Sequence, residues 1–305
     1  MSPSLRRSLP FALGVLLILA ALPVAYLLLL REPPPPAAAV PLPALPRAAV
    51  ELRLGELSGA VEVRRGGVWT QARPGELLRV TDAVRTLAGG SALLVGGPAL
   101  EVRMTPGTEV SVEELTDSLS RLMLGNGMAT ARVRGGAKQS FELKAAGSDA
   151  VARTDAGTFS MSNDGEGTVA VGTQAGEVAF VGKGRVVIVR AGQQSIARPG
   201  QAPSDPTPLP SSLLLKVQWP AAGTLRKRTL VLAGQSAPGT RLEVAGQPLS
   251  PDAEGRFRHT VELREGRNAL QVRVHGLGGT TEEVHRQVDV DTTPPRLGLD
   301  PGLWK

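Results

Sequence analysis

The sequence predicts an all-β protein of two modules behind a single N-terminal membrane helix. Three observations predict it. Valine and leucine recur at every second position over short runs, which is the period of half-buried strands, and Gly- or Asp-containing turns interrupt them every eight to twelve residues. Aromatic residues make up only 3% of 305, against 36 glycines and 25 prolines, a balance that suits thin, turn-rich β layers. Finally, residues 11–30 are twenty residues without a charge.

Taken in chain order, residues 1–10 read as a short cytoplasmic tail and 11–30 as a transmembrane anchor. Twenty residues at 1.5 Å each make about 30 Å of helix, the thickness of the hydrocarbon core. Gly14 and Pro23 would weaken a helix in water but are tolerated in a spanning one. The run exceeds the roughly 7–15 residues of a signal-peptide core and no small-x-small site closes it, so an uncleaved anchor is expected. Arg6 and Arg7 precede it, while Arg31 is offset by Glu32. The positive-inside bias therefore keeps the N-terminus inside and places the bulk of the chain in the periplasm or outside.

Residues 31–47 are a proline-rich linker. Seven prolines in the fourteen positions 33–46 favour polyproline II, with a reach of ~43 Å at ~3.1 Å per residue. Rod or disordered tether, it is a spacer that lifts the β modules off the membrane.

From residue 48 to 202 the alternation is continuous. "GAVEVRR" (59–65), "SALLV" (91–95), "ALEVRM" (99–104), "TEVSV" (108–112), "MATARVR" (128–134), "SFELK" (140–144), "GTVAV" (167–171) and "GEVAFV" (176–181) each aim one face inward. Such evenly spaced short strands suggest a solenoid-like or sandwich fold. Residues 112–122, "VEELTDSLSRL", fit helix or strand. Gly59, Gly75, Gly157, Gly176 and Gly192 suit turns or close backbone approaches. Trp69 and Phe159 are expected as core anchors, and Asp82 as a turn former rather than an acid catalyst.

Several of these pieces, in order, resemble the FecR-type domain, named for the regulator of iron-citrate uptake. The resemblance runs through "GAVEVRRGGVWTQARPGELLRVTDAVRTLAGGSALLV" (59–95), "VRMTPGTEVSV" (102–112), where Pro106-Gly107 turns between two strands, and "AGTFSMSNDGEGTVAVGTQAGEVAFVGKGRVVIVRAGQQ" (156–194). One departure is that Asp155-Ala156 stands before Gly157 where the family has Val-Arg, with Arg153 three residues earlier. The resemblance implies a β-solenoid-like domain.

Residues 203–213 form a second, Pro/Ser-rich linker, within "PGQAPSDPTPLPSS" (199–212). Residues 214–295 then resemble the immunoglobulin-like modules of exported bacterial proteins. The likeness rests on Gly234, Pro238-Gly239, "LEVAGQPL" (242–249), Asp252, Gly255, Phe257, "ELREGRNALQVRV" (262–274) and Asp291-Thr-Thr-Pro-Pro. Leu242, Val244, Phe257, Val261, Leu263, Leu270, Val272 and Val274 alternate correctly for the inside of a small sandwich, and Gly266-Arg267-Asn268 reads as a hairpin turn. Residues 296–305 are a C-terminal tail.

The chemistry is sparse. The pI of 10.3 raises nucleic acid as a partner, but residues 48–202 carry 17 basic and 16 acidic side chains and residues 216–295 carry 11 and 9. The signs interleave, and "LRKRT" (225–229) is the one compact basic run, so no nucleic-acid partner is expected. With no cysteine there is no disulfide, thiol nucleophile or lipidated cysteine anchor. His259, His275 and His285 lack partners at ligand spacing, and Asp252, Asp289 and Asp291 lack a calcium-loop pattern. "GKGRV" (182–186) has neither the spacing nor the helix of a phosphate loop, no Ser/His/Asp order is present, and Glu113-Glu114 sits in an ordinary polar stretch. No catalytic, metal or cofactor residues are therefore assigned, and no enzyme is expected.

The expectation is a membrane-anchored, extracytoplasmic, non-catalytic binding or scaffold protein of the bacterial cell envelope, with peptidoglycan or an envelope protein as partner. The alternative implied by the FecR resemblance is a transmembrane signalling regulator related to the iron-uptake anti-sigma proteins. Those carry a folded cytoplasmic region; Met1–Pro10 is too short to wrap a sigma factor, so signalling would need a separate partner.

Overall fold

The computed structural model describes residues 14–24, 26, 51–135, 140–221 and 223–294. Contacts divide the chain after Arg47. In the first unit, residues 14–24 and 26 are helical with exposed side chains. Among the described residues no helix is long and apolar enough to cross a membrane. The remainder of the expected span, the tail 1–10, the linker 31–47 and the tail 296–305 lie outside the described residues.

The second unit is β throughout. Its first module has two nine-stranded sheets that share one strand, giving seventeen strands in all. The first sheet runs, neighbour to neighbour, Thr207–Pro208, Gln193–Ala197, the front half of Val169–Gly182, Gly157–Asn163, Gly127–Val133, Leu100–Met104, Ser91–Gly96, Leu52–Ser58 and Leu77–Leu78. The second runs Val68–Gln71, Val61–Arg65, Ala83–Thr86, Glu109–Leu115, Leu119–Leu124, Ser140–Ala145, Val151–Thr154, the back half of Val169–Gly182 and Arg185–Arg190. Every ladder is antiparallel except Leu119–Leu124 with Ser140–Ala145. The chain thus meanders between two layers rather than winding in the parallel coils of a solenoid. The stretch 112–122 resolves as strand, its chain reversing at Thr116–Ser118.

The period-2 pattern explains the layers. Alternate residues such as Leu94, Val102, Ala131, Phe159 and Val171 from the first sheet meet Val63, Val84, Leu122, Leu143 and Phe180 from the second in one buried cluster. Phe141 and Phe159 sit tilted at its centre, ring centroids 6.1 Å apart.

The shared strand replaces the two short ones expected at 167–171 and 176–181. It changes sheets through a register shift between Thr158 and Phe159 of its neighbour, next to the facing pair Gly157 and Gly176. Both take positive φ, 153° and 76°. A Cβ on Gly157 would lie 2.7 Å from the Ala175 carbonyl oxygen, and one on Gly176 2.7 Å from that of Ala156. Only glycine at both positions lets the backbones approach this closely.

The second module is a smaller two-sheet sandwich. Lys216–Gln218, Thr229–Gln235 and Arg256–Glu262 form one sheet. Thr224–Leu225, Thr281–Val290, Gly266–His275, Arg241–Val244 and Gln247–Leu249 form the other. All eight inward residues expected from the alternation, Leu242 through Val274, are buried. The expected hairpin turn at Gly266-Arg267-Asn268 is instead a crossover between the two sheets. Asn268 closes it, accepting from the Arg264 N–H at 2.9 Å and donating to the Arg264 carbonyl at 2.8 Å.

The Pro/Ser linker, residues 203–213, is tied to both modules along its length. Thr207–Pro208 pairs with Gln193–Ala197, the Ser204 N–H donates to the Ile196 carbonyl at 3.0 Å, and Leu213 is buried in the core of the second module. Proline limits the donors this segment can offer, and the N–H groups that remain are used: Leu209 donates to the Gly192 carbonyl at 2.8 Å and Leu213 to the Glu282 carboxylate at 2.7 Å.

Candidate functional site

The two β modules meet on the outward face of the first sheet. Period-2 alternation points Met128, Ala170 and Gly172 away from the inner core, where small or apolar side chains would be exposed if nothing covered them. Leu277 of the second module covers them, with Leu209 and Ile196 packed alongside. The side chain of Ser162 donates to the Gly239 carbonyl at 2.8 Å, and Gln174 Nε2 donates to the Leu277 carbonyl at 3.2 Å.

Arg241 is the centre of this junction. It opens the strand Arg241–Val244, yet its side chain is almost fully buried, with a residue exposure of 3%. Nη2 donates to the Gly107 carbonyl at 2.8 Å, and Nη1 donates to Asn126 Oδ1 at 3.2 Å and to the Ser250 hydroxyl. Every acceptor is neutral. Burial pulls the Arg241 guanidinium below its ordinary value, against a smaller opposing pull from the Glu243 carboxylate. That carboxylate is itself engaged by His275 Nε2 at 2.8 Å. Gly107 leaves room for the approach: a Cβ there would lie 2.4 Å from Pro248 Cβ. The expected Pro106-Gly107 turn therefore does join two strands, Leu100–Met104 and Glu109–Leu115, and also receives the second module.

Beside the junction lies a cleft of about 400 Å³, floored by the first sheet and walled by the His275–Thr281 loop. Its floor is a relay of side chains. The hydroxyls of Thr130 and Ser160 are 2.8 Å apart, and Gln174 Nε2 donates to Ser160 Oγ at 3.0 Å. Arg103 and Arg132 rise from the same face on adjacent strands. Arg103 faces Thr130 and Arg132 faces Glu101, so the two arginines are diagonal neighbours, roughly 7–8 Å apart. Arg134 holds Glu101 at 2.8 Å, and neither Arg103 nor Arg132 has an ion-pair partner among the described residues.

The residues singled out from the sequence fall elsewhere, apart from Gly107 and Gly239 at the junction and His275 at the cleft. Phe159 is in the core as expected. Trp69 is not: the strand Val68–Gln71 is a sheet edge, and Trp69 sits half-buried on the outer face between Arg85 and Arg64, whose guanidinium carbons lie 4.2 and 5.1 Å from its ring centre. Its position alternates outward because Val63, not Arg64, faces the core. Asp82 closes a turn, its carboxylate accepting from the Arg79 N–H at 3.0 Å and from Arg65 Nε at 3.2 Å.

Gly59, Gly75 and Gly192 take positive φ at bends and turns. Glu113 pairs with Lys144 at 2.9 Å, and Glu114 with Arg121 at 2.6 Å. "GKGRV" is a tight hairpin with Lys183 and Gly184 at φ of 49° and 72°. His285 lies 2.6 Å from Glu283, and His259 stands on the strand Arg256–Glu262. Asp252 caps its own turn through the Arg256 N–H at 2.8 Å, Asp291 accepts from the Thr293 N–H at 2.9 Å, and Asp289 lies 3.8 Å from Arg267. Among the described residues no His and carboxylate groups gather as a metal site. In the basic run, Arg228 pairs with Glu265 at 3.1 Å and Arg226 reaches the Thr293 carbonyl.

Sequence reasoning missed Arg241, Arg103 and Arg132. The available signal was the outward-facing set Met128, Ala170 and Gly172, which marks a covered sheet face.

No protein-family model matches the chain, and no curated protein matches it. Among solved structures, two crystal structures of a proposed anti-sigma factor from Parabacteroides distasonis ATCC 8503 resemble it with TM-scores of 0.37, at 17% and 18% identity. Each similarity covers 41% of this chain and 59% of that protein. A polysaccharide lyase resembles it with a TM-score of 0.20 at 8% identity, over 79% of this chain and 40% of the lyase. The resemblance is one of β architecture over part of each protein.

Proposed function

We propose that this chain is a membrane-tethered, extracytoplasmic binding protein of the bacterial cell envelope, without catalytic activity. Its first module is read as FecR-type, on the order of the motifs between 59 and 194, and its second as immunoglobulin-like. The observation that carries the binding role is the cleft beside the Arg241 junction, where a braced polar floor presents guanidiniums that no carboxylate of the described residues engages. The tether rests on the uncharged run 11–30, flanked by Arg6 and Arg7, and on the proline-rich spacer behind it. The non-catalytic reading is supported by the engagement of the titratable side chains around the cleft. His275 is committed to Glu243 and lies 3.3 Å from the Thr281 hydroxyl, and Glu101 is committed to Arg134.

Protease added to intact spheroplasts of cells expressing the full chain tests the topology. Digestion of the β unit with retention of a membrane-bound N-terminal fragment is expected. Protection of the β unit until the membrane is permeabilised, or release of the whole chain by alkaline carbonate, would sink the tethered reading.

A further inference from the structure

We infer that the cleft binds an acidic saccharide, with Arg103 and Arg132 taking its carboxylates. The inference deepens the proposed function and rests on the chain being a binding protein.

Arg103 and Arg132 place two positive charges on diagonal positions of one sheet face, so an anion lying between them is attracted by both guanidiniums. The nearest acid on that face, Glu101, is already taken by Arg134. Guanidinium groups match carboxylates with paired, charge-assisted hydrogen bonds. The floor beneath them is fixed in advance. Ser160 is fully buried and holds Thr130 and Gln174 in place, and Gln174 is anchored in turn by the Leu277 carbonyl of the second module. Gln174 Oε1 and the Thr158 hydroxyl belong to residues that line the cleft, and neither has a hydrogen-bond partner among the described residues, so both are available to a ligand.

The remaining choice is between sugar and peptide. A peptide added as a strand needs a sheet edge, but the floor strands Leu100–Met104 and Gly127–Val133 are each paired on both sides. Leu93 and Met128 are the apolar side chains of the lining, too few to form pockets for peptide side chains. Hydroxyls, an amide and guanidiniums are instead the groups that satisfy a polyhydroxylated, carboxylate-bearing chain. Among the described residues no Phe, Tyr or Trp lines the cleft, so recognition is electrostatic rather than by stacking on a neutral sugar face. At about 400 Å³ the cleft lies in the ordinary range of small-ligand sites, ~300–1,000 Å³.

The test is isothermal titration of the full-length protein in detergent with trigalacturonate, neutral galactotriose and triglutamate. Saturable binding of trigalacturonate alone is expected, weakening as salt rises. Arg103→Gln and Arg132→Gln should each weaken it roughly ten- to hundred-fold. Arg228→Gln, in the second module and away from the cleft, should retain binding. Unchanged melting temperatures in the two cleft variants separate lost contacts from lost folding. No binding at millimolar trigalacturonate, equal binding of galactotriose, or unchanged affinity in the two variants would overturn the inference, and binding of triglutamate with equal or higher affinity would replace the saccharide with a peptide. Because the titration uses purified protein, its outcome is independent of the topology experiment.

Discussion

Gly157 and Gly176 face each other across one ladder, and a Cβ on either would lie 2.7 Å from the carbonyl oxygen of the residue preceding the other, Ala175 or Ala156. At this reciprocal contact the long strand Val169–Gly182 leaves one sheet and enters the other. Both layers of the first module therefore depend on a pair of absent side chains. Gly157→Ala or Gly176→Ala should cost about 2–4 kcal/mol, from backbone strain and overpacking together. Gly75→Ala, at φ 80° with open space around it, should cost only about 1 kcal/mol. Urea melts of the three variants check this. Equal losses at all three positions would show that the close approach does not matter.

Arg241 is expected to hold the junction rather than to add to either core. Its guanidinium is buried on neutral acceptors, so replacement by methionine removes both a desolvation cost and the three hydrogen bonds to Gly107, Asn126 and Ser250. The net change in global stability should be small, within about 2 kcal/mol. Hydrogen exchange should rise selectively at residues 105–108 and 239–241. A uniform rise across both modules would instead make Arg241 an ordinary core residue.

Trp69 and Phe159 should behave very differently despite both being aromatic. Phe159→Ala empties the centre of the first core and should cost about 3–5 kcal/mol. Trp69→Ala removes a ring stacked between Arg85 and Arg64 on the outer face and should cost about 1–2 kcal/mol. Chemical denaturation of the two variants gives the ratio directly, and comparable losses would return Trp69 to the core.

Acid should loosen the second module first. Hydrogen bonds from Thr292, foremost, and then the Arg228 side chain hold the Glu265 carboxyl below its ordinary value. The carboxyls of Asp252, Glu283 and Asp291 are also lowered; in Asp252 burial acts upward and the bonds from Arg256 outweigh it. A carboxyl whose folded pKa is depressed stabilises the fold above its ordinary pKa, and that stabilisation disappears as pH falls through the folded value. All four lie in the second module, so exchange between pH 5 and pH 3 should rise across residues 216–290 before residues 52–197. Glu265→Gln should flatten the acid limb of the stability curve. An unchanged limb in that variant would place the sensitivity elsewhere.

Much of the fold was legible because strands of period 2 declare which residues share a face. Leu242, Val244, Phe257, Val261, Leu263, Leu270, Val272 and Val274 all proved to be buried on that ground alone. Aromatic character, not alternation, misplaced Trp69 in the core: its register with Arg64 puts it outside. Composition marks 203–213 as a Pro/Ser linker but is silent on its contacts, and backbone hydrogen bonds with one buried leucine seat it against both modules.

What the sequence determined by itself was the β class and the inward face of most strands. Only the tertiary structure decided what covers each outer face. Gly107 and Arg241 lie 134 residues apart and meet through a carbonyl, a group every residue carries, so no side-chain pattern could announce the contact. Periodicity reports the side a residue points to, but the neighbour across the gap is set by how the layers pack, and that packing makes both the junction and the cleft beside it.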